Sequence, residues 1–132
     1  MPDSANNIRF SGSDAYIRAA MTGLAARQRA IANNVANIDT PNFKASEVRF
    51  EDTLKSAMTR ARGGLTTDQT TLNAAASRAS IVDATSTRGD GNNVDIDREM
   101  EMLSEANLTY SALTQAMSTR LSILRNVISG GR

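Results

Sequence analysis

Residues 94–128, VDIDREMEMLSEANLTYSALTQAMSTRLSILRNVI, carry the strongest pattern in this chain of 132 residues. Mostly apolar residues recur there at alternating intervals of four and three, the spacing of a helix that buries one stripe against another helix. The stripe comprises Ile96, Met100, Leu103, Asn107, Tyr110, Thr114, Met117, Leu121, Leu124 and Ile128. Asp95 or Asp97 can cap its start and Gly130 follows its end. We therefore predict one long helix over residues 94–129.

A second stripe of the same spacing predicts a helix over residues 13–38. Its positions are Ile17, Met21, Leu24, Gln28, Ile31, Val35 and Ile38. The flanks are rich in alanine, which favours helix and lets a neighbouring backbone approach closely. Gly23 costs about 1 kcal/mol inside a helix, so we expect a close contact at that position.

The two stripes are expected to pack against each other as an antiparallel, coiled-coil-like hairpin within one chain. That arrangement would bring Arg27 and Arg29 near the acidic start of the last helix. Two readings of the polar stripe positions stay open: they fix the register, or they are exposed edges of the stripe. The positions in question are Gln28, Asn107 and Thr114.

Residues 39–62 are predicted to hold a turn followed by a short helix. Pro41 ends the first helix, and Asn42 tolerates the positive φ that the next turn position needs. Residues 63–93 contain few large apolar side chains, which predicts a flexible or extended middle, or one that orders only in an assembly. Within it, Ile81-Val82 could pair weakly with Val48.

The composition favours a single, mainly helical domain that cannot build a thick core alone. Leu, Ile, Val and Phe together number 25 of 132 residues, and the net charge is +1. Such a small apolar supply fits narrow helix seams that other chains complete. We therefore expect a weakly folded, partly disordered monomer whose ends become ordered on assembly.

Several functions are disfavoured by what the sequence lacks. It has no Cys and no His, which removes zinc–thiolate sites, the usual general base and the commonest transition-metal ligand. The acidic residues around Asp95 are better explained as helix caps than as catalytic or metal-binding carboxylates. A pI near 8.2 without a basic stripe argues against nucleic-acid binding. No apolar run is long enough for a membrane span, and we predict no cofactor and no enzymatic activity.

Two asparagine-rich segments are the most informative motifs: residues 32–45, ANNVANIDTPNFKA, and residues 91–100, GNNVDIDREM. Together, in this order and near the two chain ends, they resemble the signatures of the bacterial flagellar rod and axial protein family. One departure is Asn42, where the family often has Gly. The residues that match the family motifs are Asn34, Asn37, Thr40, Pro41, Phe43, Asp95, Asp97, Arg98 and Glu99.

The resemblance implies a structural subunit of the basal-body rod, exported by the flagellar type III apparatus without a cleaved signal peptide. It implies partners as well: further copies of itself, FlgC, more distal rod subunits, FliE, and the export gate with the MS ring. The second motif and the short middle favour a proximal rod subunit, and a FlgC-like subunit or a helical export chaperone or adaptor are the alternatives.

The stripe residues are the candidates for subunit contacts, with packing and turn roles expected for the motif residues. The proposed contact set is Ile17, Met21, Leu24, Ile31, Val35, Met100, Leu103, Tyr110, Met117, Leu121, Leu124 and Ile128.

Overall fold

The computed structural model describes residues 12–64, 68–81 and 88–130. In chain order the elements are α1 (Gly12–Ala36), β1 (Ser46–Val48), α2 (Phe50–Arg62), α3 (Gln69–Ala76), β2 (Ala79–Ile81) and α4 (Ile96–Gly130). The mainly helical class is confirmed, and both long helices begin and end within two residues of their predicted bounds. For residues 1–12 the sequence leaves both a short arm and the start of a helix open, and residues 1–11 lie outside the described part of the chain.

Helices α1 and α4 pack antiparallel, as the two stripes predict. Three polar side-chain pairs connect the two helices. From pair to pair the residue number falls along α1 and rises along α4, as antiparallel packing requires. The pairs are Asn34–Glu99, Gln28–Asn107 and Asp14–Arg120, with closest approaches of 3.0, 2.7 and 3.0 Å.

The face of α4 that packs on α1 differs from the predicted stripe. At every second stripe position, the residue just before the predicted one is the more buried of the two. The more buried residues are Glu99, Met102, Leu103, Ala106, Tyr110, Leu113, Met117 and Arg120. The predicted positions Met100, Asn107, Thr114 and Leu121 are exposed. The offset follows from the polar pairs at both ends of the seam, which turn Glu99 and Arg120 inward, and from the small side chain of Ala106.

Of the polar stripe positions, one pair fixes the register and one residue is an exposed edge of the stripe. The Gln28 amide donates a hydrogen bond to Asn107 Oδ1 at 2.7 Å, a contact that fixes register. Thr114 instead donates to the carbonyl of Tyr110 in its own helix, so it is an exposed edge of the stripe.

Helix α1 lies at the centre of the fold and contacts α2, α3, α4 and both strands. More than half of the buried cluster around it is alanine: Ala19, Leu24, Ala26, Ala30, Val48, Phe50, Ala57, Leu72, Ala76 and Ala106. Alanine buries little apolar area but permits close packing of helices, so the core is thin and depends on tight contact.

The close contact expected at Gly23 is present. A Cβ there would overlap the ring of Phe50, which begins α2 and is 5% exposed. The guanidinium of Arg27 also lies over this ring, 4.7 Å from its centroid. It binds the carbonyl of Val48 and both carboxylate oxygens of Glu51. The ion pair of Arg27 is thus with Glu51 of α2. Arg27 also lines one recess together with Glu105 of α4, so it lies near the acidic first turns of that helix.

The middle of the chain is more regular than predicted. Asp68 caps α3 by accepting a hydrogen bond from the amide of Thr71 at 3.1 Å, and Leu72 and Ala76 are buried against α1. The sequence did not predict α3 because Leu72 is its one large apolar residue. The other residues on its buried face are small, and alanine contributes little to a hydrophobic pattern.

The weak strand pair is present with a different register. Strand β1 pairs antiparallel with β2, matching Ser46 with Ile81 and Val48 with Ala79. Val82 lies outside the described residues. This two-stranded ribbon ties the middle of the chain to the segment that leaves α1.

We predict that Gly23→Ala destabilises the protein although it removes a glycine from a helix. Overlap with Phe50 should lower the free energy of unfolding by about 1–2 kcal/mol, after the helix-propensity gain is subtracted. Urea unfolding followed by circular dichroism measures the change. Adding Phe50→Leu should recover part of the loss, since the two positions touch. A gain in stability from Gly23→Ala alone would contradict the close packing.

Candidate functional site

The two asparagine-rich motifs meet in space, although about fifty residues separate them in sequence. The amide of Asn42 donates to the carbonyl of Asp90 at 2.9 Å, and the amide of Asn93 donates to the carbonyl of Phe43 at 3.4 Å. Asn93 Oδ1 accepts a third hydrogen bond, from the amide of Ala45 at 2.6 Å. We call residues 34–46 and 88–99 together the motif junction.

Asn92 is the most buried member of the motif junction, with no exposed surface. Its Nδ2 donates to the carbonyls of Asn37, Ile38 and Thr40 at 2.9, 3.1 and 2.9 Å. Its Oδ1 accepts from the amide of Val94 at 2.8 Å. These three carbonyls lie in the turn that follows α1, so Asn92 holds that turn from a distant segment, with its two amide protons shared among three acceptors.

The turn after α1 has the geometry that its sequence predicts. The amide of Phe43 donates to the carbonyl of Thr40, and Asn42 adopts φ 60°, the left-handed conformation that asparagine tolerates. Pro41 and Thr40 are exposed at its tip. Opposite the turn, Gly91 has φ 78°, and a Cβ there would lie 2.6 Å from Asn42 Oδ1. Asn42 and Gly91 are therefore fitted to each other.

Asn37 and Lys44 hold the two sides of the turn in place. Asn37 Nδ2 donates to the carbonyl of Asn33 at 2.8 Å, and Asn37 Oδ1 accepts from the Thr40 hydroxyl at 3.2 Å. Lys44 Nζ donates to the carbonyl of Gly91 at 2.6 Å. Asn37 thus links the last turn of α1 to Thr40 of the following turn, and Lys44 links that turn to the second motif.

Asn34 connects α1 to both β1 and α4, and 1% of it is exposed. Its side-chain amide binds Ser46 as a neighbouring strand would: Oδ1 accepts from the Ser46 amide, and Nδ2 donates to the Ser46 carbonyl, both at 2.9 Å. Nδ2 also donates to Glu99 Oε1 at 3.0 Å. A substitution at Asn34 would therefore leave three buried polar groups without their partner.

Glu99 is 3% exposed, and its Oε2 is buried without a hydrogen-bond partner among the described residues. Burial raises the pKa of Glu99, while the Asn34 hydrogen bond and the charge of Arg98 oppose the rise; Glu47 and Asp95 add to it. A buried carboxylate with one unsatisfied oxygen is costly at neutral pH.

The remaining residues of the second motif act at the start of α4. Asp95 Oδ1 accepts from the amides of Asp97 and Arg98 at 3.0 and 3.3 Å, which makes Asp95 the cap. Arg98 forms a 3.5 Å ion pair with Glu47 of β1. Asp97 is exposed, in the first turn of α4, where the helix dipole favours an acidic residue.

Sequence reasoning singled out most of the motif junction but missed three roles. Asn92 and Asn93 stood in the quoted motif without an assigned partner, although amides just before a helix cap are natural donors to another helix end. The sequence explained Glu99 only by its favourable interaction with the helix dipole. Its buried position was missed, although Glu99 directly precedes the predicted stripe residue Met100.

The motif junction has the chemistry of a structural joint. In the three described stretches, no group of three or more His, Cys, Asp or Glu side chains is arranged to hold a metal ion. None of the described helices is long and apolar enough to cross a membrane. The side chains at the junction bind the chain's own backbone and one another.

Comparison with known proteins first indicates the class of protein, through a match to a family model. Residues 17–44, which contain most of α1 and all but the last residue of the first motif, match the family described as flagella basal body rod protein. The match covers the helix end and the turn that the motif junction holds together.

Curated relatives extend this likeness over most of the chain. The flagellar basal body rod protein FlgB of Bacillus subtilis (strain 168) is 36% identical over 127 residues, 93% of this chain and 98% of the relative. FlgB of Borrelia hermsii is 35% identical, covering 80% and 87%, and FlgB of Salmonella typhimurium is 33% identical, covering 81% and 86%. This chain belongs to the FlgB family of flagellar basal body rod proteins.

Family membership confirms the predicted rod family and identifies a structural protein, not an enzyme. It places the chain in the flagellar basal body rod. The relatives just named are FlgB proteins, and this argues against the alternative of a FlgC-like subunit.

We predict that Asn92→Asp destabilises the protein by about 2–4 kcal/mol, because it removes three buried hydrogen bonds and sets a carboxylate against three carbonyls. Thermal or urea unfolding measures the loss. Asn126→Asp on the exposed surface of α4 is the matched control and should change stability by less than about 0.5 kcal/mol. Equal effects of the two substitutions would contradict the role of Asn92.

We predict that Glu99→Gln stabilises the protein at neutral pH and that the gain shrinks as the pH falls. Because its folded pKa is raised, Glu99 favours folding fully below its ordinary value of 4.5 and loses that contribution as pH rises through its folded pKa. Urea unfolding of both proteins across a pH series tests the sign. Glu105→Gln, an exposed substitution in the same helix, is the control and should change stability at neutral pH by less than about 0.5 kcal/mol. A gain in stability from Glu99→Gln that does not change with pH would contradict the raised pKa of Glu99.

Proposed function

We propose that this chain polymerises within the rod through its terminal helices α1 and α4. The observation that supports this most is an apolar face left uncovered on the last turns of α4. Leu121, Leu124 and Ile128 are 49%, 45% and 78% exposed. Burying such a side chain fully is worth about 1.5–3 kcal/mol, so a row of them favours a contact with another chain.

The position of this face fits a shared seam. Asp14, near the start of α1, pairs with Arg120 of α4. Beyond about residue 122, no described residue of α1 therefore lies across from α4. We define the α4 end as Leu121–Gly130. A stripe that continues past its partner helix is suited to packing against a neighbouring subunit.

A subunit of this kind would transmit torque and enclose an export channel. The 35 residues of α4 give a helix about 52 Å long at 1.5 Å per residue. Long helices packed side by side in a polymer resist bending and twisting together. The motif junction would keep each pair of helices in one register while torque passes along the rod.

The proposed partners are further copies of this chain, FlgC, more distal rod subunits and FliE, together with the export gate and MS ring at the base. The proposed location is the periplasmic rod, reached through the flagellar type III apparatus. The uncovered α4 end supports contacts with neighbours of the same helical type.

We predict that Leu121→Asp blocks rod assembly and motility without unfolding the subunit, since the substituted side chain is already half exposed. Swimming in soft agar and electron microscopy of isolated basal bodies measure the outcome in cells. Leu108→Asp is the matched control: Leu108 is 74% exposed in the same helix but outside the α4 end, and this variant should keep motility.

Circular dichroism of both purified variants should match that of the unsubstituted chain, which separates an assembly defect from a folding defect. Normal rods with Leu121→Asp would contradict the assignment of the α4 end as an assembly contact.

A further inference from the structure

Two recesses on the described surface could receive the α4 end of another copy. The first, which we call the acidic groove, has a volume of about 240 Å³ and is lined by Arg27, Glu47, Glu51, Met102 and Glu105. The second, the apolar cleft, has a volume of about 340 Å³ and is lined by Ser13, Tyr16, Met58, Ala61 and Arg62.

The acidic groove has one carboxylate available for a partner. Arg27 is occupied by both carboxylate oxygens of Glu51, each at 2.7 Å. Glu47 lies in ion pairs with Arg49 and Arg98. Glu105 is exposed and forms no ion pair with any described residue. The groove therefore presents a free negative charge beside the apolar side chain of Met102.

The α4 end presents the opposite charge. Arg125 lies between Leu121 and Ile128 at intervals of four and three, so these side chains share one helix face. It is exposed, and its side chain forms no ion pair within the described stretches. An arginine framed by large aliphatic side chains is a composition enriched at the centres of protein interfaces.

Charge decides between the two recesses. Docking the α4 end in the apolar cleft would bring Arg125 toward Arg62, and two like charges at an interface oppose binding. Docking it in the acidic groove would bring Arg125 to Glu105 and the leucines to Met102.

The occupant must come from a second copy. Glu105 and Arg125 are twenty residues apart in the same helix, about 30 Å at 1.5 Å per residue. One copy therefore cannot satisfy its own groove. Because the groove and the α4 end are different surfaces, each copy can give one contact and receive another, either mutually in a closed dimer or head to tail in a longer chain of subunits.

We propose that the α4 end of one copy docks in the acidic groove of the next, with Arg125 paired to Glu105 and the aliphatic residues packed on Met102. This inference rests on the proposed function, association through terminal helices, and adds the surface that receives α4.

The test uses exchanged charges. In Glu105→Arg, the groove repels the intact α4 end of the next copy; in Arg125→Glu, the α4 end is repelled by the intact groove. Each variant alone should self-associate about tenfold more weakly than the unsubstituted chain. Mixing the two variants, or combining both substitutions in one chain, recreates an opposite-charge pair at every junction and should restore association.

Sedimentation velocity of the full chain over a concentration series measures the effect, and salt should weaken the unsubstituted contact by screening. Asp52→Arg and Arg62→Glu are matched controls, because they reverse exposed charges outside the proposed contact. Both should leave self-association unchanged.

Three results would overturn the inference: an unsubstituted chain that stays monomeric throughout, single variants that associate normally, or a mixture that is not restored. If Arg125→Glu alone weakens association, the α4 end docks elsewhere and the acidic groove is wrong. The proposed function is judged separately, by rod formation in cells carrying Leu121→Asp, so the two can fail independently.

Discussion

Three backbone carbonyls in the turn that follows α1, those of Asn37, Ile38 and Thr40, accept hydrogen bonds from one buried side-chain amide, that of Asn92, about fifty residues further along the chain. Asn92 thereby fixes where α1 ends relative to where α4 begins. Its position depends on a turn that only a few residue types allow, with Asn42 at positive φ against Gly91. The rest of the fold follows from this joint, since α1 and α4 leave it side by side.

From the motif junction outward, the seam between the long helices changes character. Near the joint it is held by buried polar groups, Asn34 and Glu99, and in its middle by alanines that allow close approach. Beyond the Asp14–Arg120 pair, α4 continues with an exposed apolar face that no described residue of α1 covers. Leu24, Val48 and Phe50 are buried within the chain itself, whereas Leu121, Leu124 and Ile128 are exposed and available for a neighbouring subunit to bury.

Much of this architecture could be predicted from the sequence, because it depends on local spacing. The four–three stripes gave both long helices and their antiparallel packing, and Pro41 with Asn42 gave the turn. The offset of the α4 stripe could not be predicted, because buried polar pairs such as Asn34–Glu99, rather than apolar residues, choose the inward face. Helix α3 was missed because its contact with α1 is made largely by alanine. The convergence of Asn92 on the end of α1 is a long-range contact that spacing within either motif does not reveal.

The central claim is that the motif junction is a permanent joint within the subunit, whereas the α4 end gains its partner only in the rod. Amide hydrogen exchange compared between the isolated chain and assembled rods tests it most directly. The account predicts slow exchange at the amides of Ala45, Ser46 and Val94 in both states, and slow exchange across the α4 end only in the rod. Fast exchange at the junction amides in the isolated chain, or an α4 end equally protected in both states, would contradict it.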